Sequence, residues 1–168
     1  SFSRDPSRLK SLASEIGDRA SVGTPAEAAE FGEVVVFSVP WDLIDKGIAE
    51  AGGLDGKIVI DTTNQYGSEK LPPEGQTAAQ WNASRMPGAR YTKSFNTLTS
   101  SFQAEAANRP EGDRVVQWIC GDDAEAKGMR PHERAHLRPV RVLRADGAPD
   151  RDGGADAGRH KRNRQRNC

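Results

Sequence analysis

The sequence lacks the features that mark secreted, membrane-spanning and disulfide-rich proteins. It has two cysteines in 168 residues, too few for a disulfide framework. Cys120 ends an apolar segment, where a free thiol behaves as a small hydrophobic residue. No apolar run approaches the roughly 18 residues of a membrane-spanning helix, and the charged N-terminus is unlike a signal peptide. We therefore expect a cytoplasmic protein with no membrane partner.

Aromatic residues are also scarce, and none follows Trp118. The charge divides close to the same place. Residues 1–127 carry 13 Lys and Arg against 19 Asp and Glu, and residues 128–168 carry the remaining 11 and 5. We predict one acidic domain over residues 1–127, since this length suits a single core. Residues 128–168 form a basic tail, which we expect to be largely disordered because it has too little apolar surface to offset its conformational entropy.

Two apolar strands organise the predicted domain. Val34–Phe37 is a run of β-branched and aromatic residues, and Lys57–Thr62 repeats this pattern after a helix-length segment. Two such strands joined by a helix form a right-handed βαβ unit. Further strands are predicted at Arg90–Phe95 and Arg114–Cys120, again separated by helical segments. The alternation predicts an α/β fold with a Rossmann-type, doubly wound and mostly parallel sheet.

Helix signals fit this alternation. Thr24-Pro25-Ala26-Glu27 has the form of a capping box, which predicts a short helix to about Phe31. Asp42 is predicted to cap a helix over Leu43–Ala51, and Gly52 is predicted to end it.

Ligands of such sheets bind beyond the carboxyl ends of the strands. In this sequence those ends carry Ser38-Val39-Pro40-Trp41 and Asp61-Thr62-Thr63-Asn64, and Asn96 follows the next strand. We expect the functional site there. Asparagines at strand ends also cap turns, so a purely structural role for Asn64 and Asn96 is an open alternative.

The N-terminal residues indicate which dinucleotide would bind. Ser1–Ser3 resembles the end of a strand, and the residues that follow such a strand meet the adenine ribose in dinucleotide folds. A hydroxyl at Ser3 and a guanidinium at Arg4 suit a 2′-phosphate, and Arg8 can reach the same group one helical turn later. The alternative is a surface arginine near a helix start. We favour NADP as the cofactor.

Five segments together carry a family resemblance. They are S-R-D-P-S-R-L, V-V-V-F-S-V-P-W, G-K-I-V-I-D-T-T-N, K-S-F-N-T and C-G-D-D-A-E-A-K. In this order and spacing they resemble the NADP-dependent oxidoreductases of the coenzyme F-420 (deazaflavin) reductase family, over residues 1–127. The resemblance implies that Ser3, Arg4 and Arg8 hold the 2′-phosphate. It also places four further groups along the cofactor cleft: Ser38, Val39 with Pro40, Asn64, and Asn96.

The reaction implied by the resemblance is hydride transfer between a nicotinamide and a flat acceptor stacked against it. Deazaflavin, a flavin, a ferric complex or a small imine would each fit as this small-molecule acceptor. The protein supplies orientation and excludes water, so the lack of an acid/base dyad is no objection, and no catalytic side chain is assigned. A homodimer that completes the acceptor pocket is a further expectation.

Two departures from the family leave the activity of this chain open. The family opens with a strand and a Gly-rich turn, and no G-x-G-x-x-G occurs here. We expect that the sequence begins partway into the domain and lacks a central strand of the sheet. The alternative function is therefore a non-catalytic or defective dinucleotide-binding domain.

The second departure is the basic tail, where the family pattern is not found. One hypothesis is an out-of-frame translation of a GC-rich gene. The rival is a nucleic-acid-binding tail, which we disfavour because no aromatic residue is present to stack on bases. His132 and His136 match the H-E-x-x-H spacing of zinc sites, but their Arg-rich surroundings argue against a shaped metal pocket, and no metal site is predicted.

Overall fold

A computed structural model describes residues 6–106, 108–110, 115–128 and 141–144. The helices of this part are α1 (Pro6–Ile16), α2 (Pro25–Phe31), α3 (Ile44–Ala51), α4 (Ala78–Ser84), α5 (Ser100–Ala106) and α6 (Ala124–Lys127). The strands are β1 (Val34–Ser38), β2 (Ile58–Asp61), β3 (Arg90–Ser94), β4 (Ile119–Cys120) and β5 (Arg141–Arg144). A 3-10 turn at Trp41–Leu43 precedes α3.

The strands form one sheet in the order β4-β3-β2-β1-β5. Four of them, β5, β1, β2 and β3, run parallel, whereas β4 is antiparallel to β3. The predicted α/β fold with a mostly parallel sheet is therefore confirmed. The strand predicted over Arg114–Cys120 is shorter than expected. Within the described residues 115–120, Ile119 and Cys120 pair with β3, and the apolar residues Val116 and Trp118 are about two-thirds exposed at this edge of the sheet.

The two faces of the sheet carry separate apolar clusters. One face packs Val35, Phe37 and Val59 against small and apolar residues of α2, α3 and α4. On the other face, Val34 and Ile58 pack with Ala126 of α6. Side chains alternate between faces along a strand, so a strand buried on both faces needs apolar residues at successive positions. This is the physical reason that β1 and β2 were recognisable as apolar runs.

One of the two predicted helix starts is confirmed. The backbone N–H of Thr24 donates to Glu27 Oε2 at 2.7 Å, and the Glu27 N–H donates to Thr24 Oγ1 at 3.2 Å, which completes the capping box of α2. The predicted cap at Asp42 is wrong. Its carboxylate accepts a hydrogen bond from Ser68 Oγ at 2.5 Å instead, because the 3-10 turn moves the helix start to Ile44. Gly52 ends α3 in the left-handed conformation, as predicted.

Part of the C-terminal segment can be compared with its prediction. Arg141–Arg144 forms β5, which pairs with β1 in the register Val35 to Arg141. These four residues are an exception to the expected disorder of residues 128–168. The remainder of the tail beyond residue 128, including His132 and His136, lies outside the described residues, and the domain boundary at residue 127 stays a prediction.

The structure also bears on the cysteine, on membrane-spanning helices and on metal-binding clusters. Cys120 is disulfide-bonded, so the expectation of a free thiol is wrong. No helix within the described ranges is long and apolar enough to cross a membrane. In the same ranges, no cluster of three or more His, Cys, Asp or Glu side chains is arranged to hold a metal ion.

Candidate functional site

The strand register brings the predicted site residues to one edge of the sheet. A single row of paired positions crosses three strands: Phe37, Asp61 and Lys93. Pro40, Asn64 and Asn96 each lie three residues beyond this row. Since the strands are parallel, the three segments leave the sheet on the same side and their residues converge there.

Asn64 and Asn96 form the best-defined contact at this edge. The Asn64 side-chain amide donates to the backbone oxygen of Asn96 at 2.7 Å, and Asn96 Nδ2 lies 3.4 Å from Asn64 Oδ1. Both side chains are half-buried. The pair joins the end of β2 to the end of β3, which agrees with the expectation that they share a cleft. Their role in ligand contact stays a prediction.

The segment after β1 forms the neighbouring part of the edge. Ser38 and Val39 are half-buried, and Pro40 is exposed. The backbone N–H of Thr62 donates to the Phe37 carbonyl at 3.1 Å, which ties the end of β2 to that of β1. This part of the predicted site therefore has a backbone connection to the segment that carries Asn64.

A cluster of aromatic and cationic side chains begins directly after the Ser38-Val39-Pro40 segment. The Trp41 indole N–H donates to the Lys70 carbonyl at 2.7 Å. The Arg85 guanidinium lies 4.1 Å from the ring centre of Trp81 and 5.7 Å from that of Trp41, within the range of cation–π attraction. Arg85 also pairs with Asp45 of α3 at 3.0 Å. The cluster connects the turn after Pro40 to α3 and α4.

A buried polar network lies directly beneath Asn64. Asp61 is fully buried at the end of β2, and its two carboxylate oxygens accept four hydrogen bonds. The donors are the Thr63 backbone N–H (2.7 Å), Asn82 Nδ2 (2.7 Å), Lys93 Nζ (3.2 Å) and the Tyr91 hydroxyl. An ionised carboxylate needs such partners when it is removed from water.

Burial alters the titration of two members of this network. It lowers the pKa of the Lys93 ammonium, while the adjacent Asp61 carboxylate acts in the opposite direction. It also raises the pKa of the Tyr91 hydroxyl, and there the negative charge of Asp61 adds to the effect. Desolvation disfavours the charged form in both cases. Tyr91 is therefore a neutral hydrogen-bond donor to Asp61 near neutral pH.

Two further features lie next to the asparagine pair: the side chain of Gln65 and a cavity. The Gln65 side-chain oxygen is buried and has no hydrogen-bond partner among the described residues. Beyond Asn96 lies a cavity of about 370 Å³, and its lining residues are Phe95, Leu98, Gln103, Ala106, Arg109, Val115 and Gln117. Phe95 has a φ of +60°, a conformation that is uncommon for a bulky residue and is found at functional sites.

The structure describes one of the three residues that were predicted to bind the 2′-phosphate. Arg8 lies in the first turn of α1 and is exposed to solvent. Ser3 and Arg4 lie outside the described residues. Whether these three side chains meet one phosphate stays a prediction.

Comparison with known proteins bears on this arrangement. Residues 1–65 match the family described as NADP oxidoreductase, coenzyme F420-dependent. This match contains α1, β1 and β2, together with Arg8, Ser38 and Asn64. Over 153 residues the chain is 34% identical to the metalloreductase STEAP3 of Rattus norvegicus. These matches support an NADP oxidoreductase family.

The alignments cover different shares of the chain and of the proteins that it matches. The alignment with STEAP3 covers 85% of the chain but only 30% of the relative's length. A solved structure of a hypothetical protein, SMa0349 from Sinorhizobium meliloti, superimposes with a TM-score of 0.61 over 84% of the chain and 69% of that protein. Its sequence identity of 23% supports a shared Rossmann-like fold alone. Both alignments cover more of the chain than residues 1–127.

Sequence reasoning missed the buried groups next to Asn64 at this carboxyl edge of the sheet. Asp61 was named only as the start of the strand-end segment and given no role in binding, and neither Lys93 nor Gln65 was predicted as a site residue. A weak signal was present, because an aspartate ends one apolar strand and a lysine interrupts the next. The sequence could not show that these charges are neighbours, since that depends on the register of β2 and β3.

Proposed function

We propose that this chain is the NADP-binding part of an oxidoreductase that transfers a hydride between NADP(H) and a deazaflavin or a similar flat acceptor. The observation that carries the proposal is the paired Asn64 and Asn96 at the carboxyl edge of a parallel sheet. This edge is where dinucleotides bind in such folds. The match of residues 1–65 to NADP oxidoreductases supports the choice of cofactor.

The polar groups at this edge fit a nicotinamide carboxamide. A carboxamide has an N–H₂ donor and a carbonyl acceptor, so it needs both kinds of partner. Gln65 offers a buried oxygen without a partner in the described part of the chain, and the asparagine pair offers further amide groups. An exposed guanidinium at Arg8 suits the 2′-phosphate that distinguishes NADP.

In this proposal the bound nicotinamide supplies hydride-transfer chemistry. The chain's own residues bind and orient the ring: Asn64 and Gln65 hydrogen-bond its carboxamide, and Ser38-Val39-Pro40 forms the adjacent wall. Holding two reacting rings in one geometry lowers the entropic barrier to transfer. No side chain has to exchange a proton for this step, which is consistent with the absence of an acid/base dyad from the sequence.

Two kinds of hydride acceptor are candidates. The matching family is described as coenzyme F420-dependent, which supports a deazaflavin. The similar rat protein is named a metalloreductase, which supports a metal complex as the second candidate. The cavity beyond Asn96 has apolar walls and the guanidinium of Arg109, a combination that suits a planar anionic ring system.

Replacing Arg8 with alanine is expected to weaken NADPH binding about 10- to 100-fold and to leave NADH binding unchanged, because a charge-assisted hydrogen bond to the 2′-phosphate contributes roughly 1.5–3 kcal/mol. Titration of NADPH and NADH, followed by nicotinamide fluorescence, measures both affinities. Lys10→Ala is the matched control, since Lys10 is an exposed cation on the same helix.

The same titration decides between the proposal and its alternative. A wild-type chain that binds NADPH more tightly than NADH supports the oxidoreductase function. No binding at about millimolar NADPH, the weak end of the affinity scale, favours a non-catalytic or defective domain. Equal loss of NADPH and NADH affinity in Arg8→Ala would contradict the phosphate role of this residue.

A further inference from the structure

Thr63 lies in a loop, yet its backbone N–H, its carbonyl and its hydroxyl all form hydrogen bonds to buried side chains. It follows β2, is 3% exposed, and immediately precedes Asn64. Its N–H donates to Asp61 Oδ1 at 2.7 Å, and its carbonyl accepts from Lys93 Nζ at 2.6 Å. Its hydroxyl accepts from Asn82 Nδ2 at 3.1 Å. Two oppositely charged side chains therefore hold the backbone donor and the backbone acceptor of one residue.

Burying the ion pair of Asp61 and Lys93 has a large desolvation cost. Asp61 and Lys93 both have fully buried side chains, and their charged atoms are 3.2 Å apart. Taking two charges out of water costs about as much as their attraction returns, so an apolar pair of similar volume would serve stability equally well. What an apolar pair could not do is hydrogen-bond to both polar atoms of Thr63. The contacts to the Thr63 backbone therefore require a hydrogen-bond acceptor at position 61 and a donor at position 93.

The residue that benefits is Asn64. Fixing the Thr63 peptide groups fixes the direction in which the next residue leaves the strand, since each residue has only two soft backbone torsions. The Asn64 amide then reaches the Asn96 carbonyl at 2.7 Å. Lys93 belongs to the strand that leads to Asn96. We call the contacts of Asp61 and Lys93 with Thr63 the clamp. The clamp joins β2 and β3, the strands that lead to Asn64 and Asn96.

We propose that Asp61 and Lys93 are positioning residues, which clamp the Thr63 backbone and thereby hold the Asn64 amide at the nicotinamide-facing edge of the sheet. The nicotinamide part of this inference rests on the proposed function. The positioning of Asn64 does not, because it is a property of the free protein. Neither residue needs to touch a ligand for the clamp to act.

The test uses the full chain and three variants. Asp61→Asn/Lys93→Met removes both charges and the bond to the Thr63 carbonyl without leaving an unpaired ion. Lys93→Met removes the lysine alone. Thr92→Val is the control, because Thr92 is 1% exposed on the same strand and loses a 2.9 Å hydrogen bond to Val59 that does not involve Thr63.

The first measurement is NMR of the Asn64 side-chain amide without ligand. The signal is assigned through its loss in Asn64→Asp. In the double variant we expect a shifted signal and hydrogen exchange at least tenfold faster, since the hydrogen bond to Asn96 is no longer held in place. In Thr92→Val we expect no change. An unchanged Asn64 signal in a folded double variant would overturn the proposal.

The second measurement compares NADPH with 2′,5′-ADP, which lacks the nicotinamide. In the double variant we expect NADPH affinity to fall about tenfold, as for one lost hydrogen bond with its desolvation cost, and 2′,5′-ADP affinity to stay within about twofold. Equal loss for both ligands would indicate general loosening and overturn the positioning role. If the wild type binds neither ligand, the proposed function fails, while the NMR measurement still decides whether the clamp holds Asn64.

Discussion

Replacing Lys93 with methionine is expected to lower the free energy of unfolding by about 3–5 kcal/mol, the usual cost of removing one partner from a buried ion pair. Asp61 remains fully buried in this variant. It keeps hydrogen bonds from Thr63, Asn82 and Tyr91, but its negative charge loses the adjacent Lys93 ammonium. Urea-induced unfolding of the full chain, followed by tryptophan fluorescence, measures the loss.

Two companion variants make this result specific. Asp61→Asn/Lys93→Met is expected to unfold within about 1–2 kcal/mol of the wild type, because replacing both charges avoids the uncompensated ion. Thr92→Val is expected to lose about 1 kcal/mol, the typical contribution of one buried hydrogen bond. If Lys93→Met costs no more than Thr92→Val, the ion pair does not stabilise Asp61 and the electrostatic account is wrong.

The pH dependence follows from the lowered pKa of Lys93. The unfolded chain binds this proton more tightly than the native protein does, with a pKa near the ordinary value of 10.5. Between the lowered native pKa and 10.5, the contribution of Lys93 to the stability of the wild type is therefore expected to rise with pH. Lys93→Met lacks the titrating group and should lack this increase. Unfolding free energies at several alkaline pH values measure the difference between the two chains.

The second large effect is expected at Phe37, where substitution by alanine should cost about 3–5 kcal/mol. Phe37 is fully buried in β1 and belongs to the larger apolar cluster. Truncation removes apolar burial and leaves a cavity between β1 and α3. Phe31→Ala is the matched control. Since Phe31 is 38% exposed, its truncation should cost less than half as much.

Gly47 tests whether Phe37 also sets the distance of α3 from the sheet. A Cβ added at Gly47 would lie 3.1 Å from Phe37 Cζ and 3.3 Å from Val39 Cγ1, closer than ordinary contacts. Overpacking costs about 1–3 kcal/mol, partly offset by the better helix propensity of alanine. Gly47→Ala should therefore destabilise the wild type but be tolerated in Phe37→Leu. Additive effects in the double variant would contradict direct contact.

This packing matters for the candidate site because Val39 belongs to the segment predicted to line the cofactor. The segment Ser38-Val39-Pro40 runs from the last residue of β1 to the turn that leads into α3. A helix that shifts away from β1 would carry this wall with it. Loss of NADPH affinity in Gly47→Ala, at conditions where the variant is fully folded, would connect the packing of α3 to the site.

Local patterns determined much of this protein. The apolar runs of β1 and β2, the capping box at Thr24 and the left-handed glycine at Gly52 were all predictable, because each depends on residues within a few positions of one another. The carboxyl-edge location of Asn64 and Asn96 was also predictable, since parallel strands end on the same side. The predicted cap at Asp42 failed where a partner 26 residues away, Ser68, took the carboxylate.

Only the tertiary structure decided which side chains became neighbours. The antiparallel direction of β4, the pairing of β5 with β1 and the clamp of Asp61 and Lys93 on Thr63 all depend on strand order and register. These are settled by contacts between residues far apart in the chain, which no short sequence pattern encodes. From the sequence, an aspartate and a lysine 32 positions apart would be expected to be two exposed, unrelated charges. The sheet brings them into contact in the protein interior, where both side chains are fully buried.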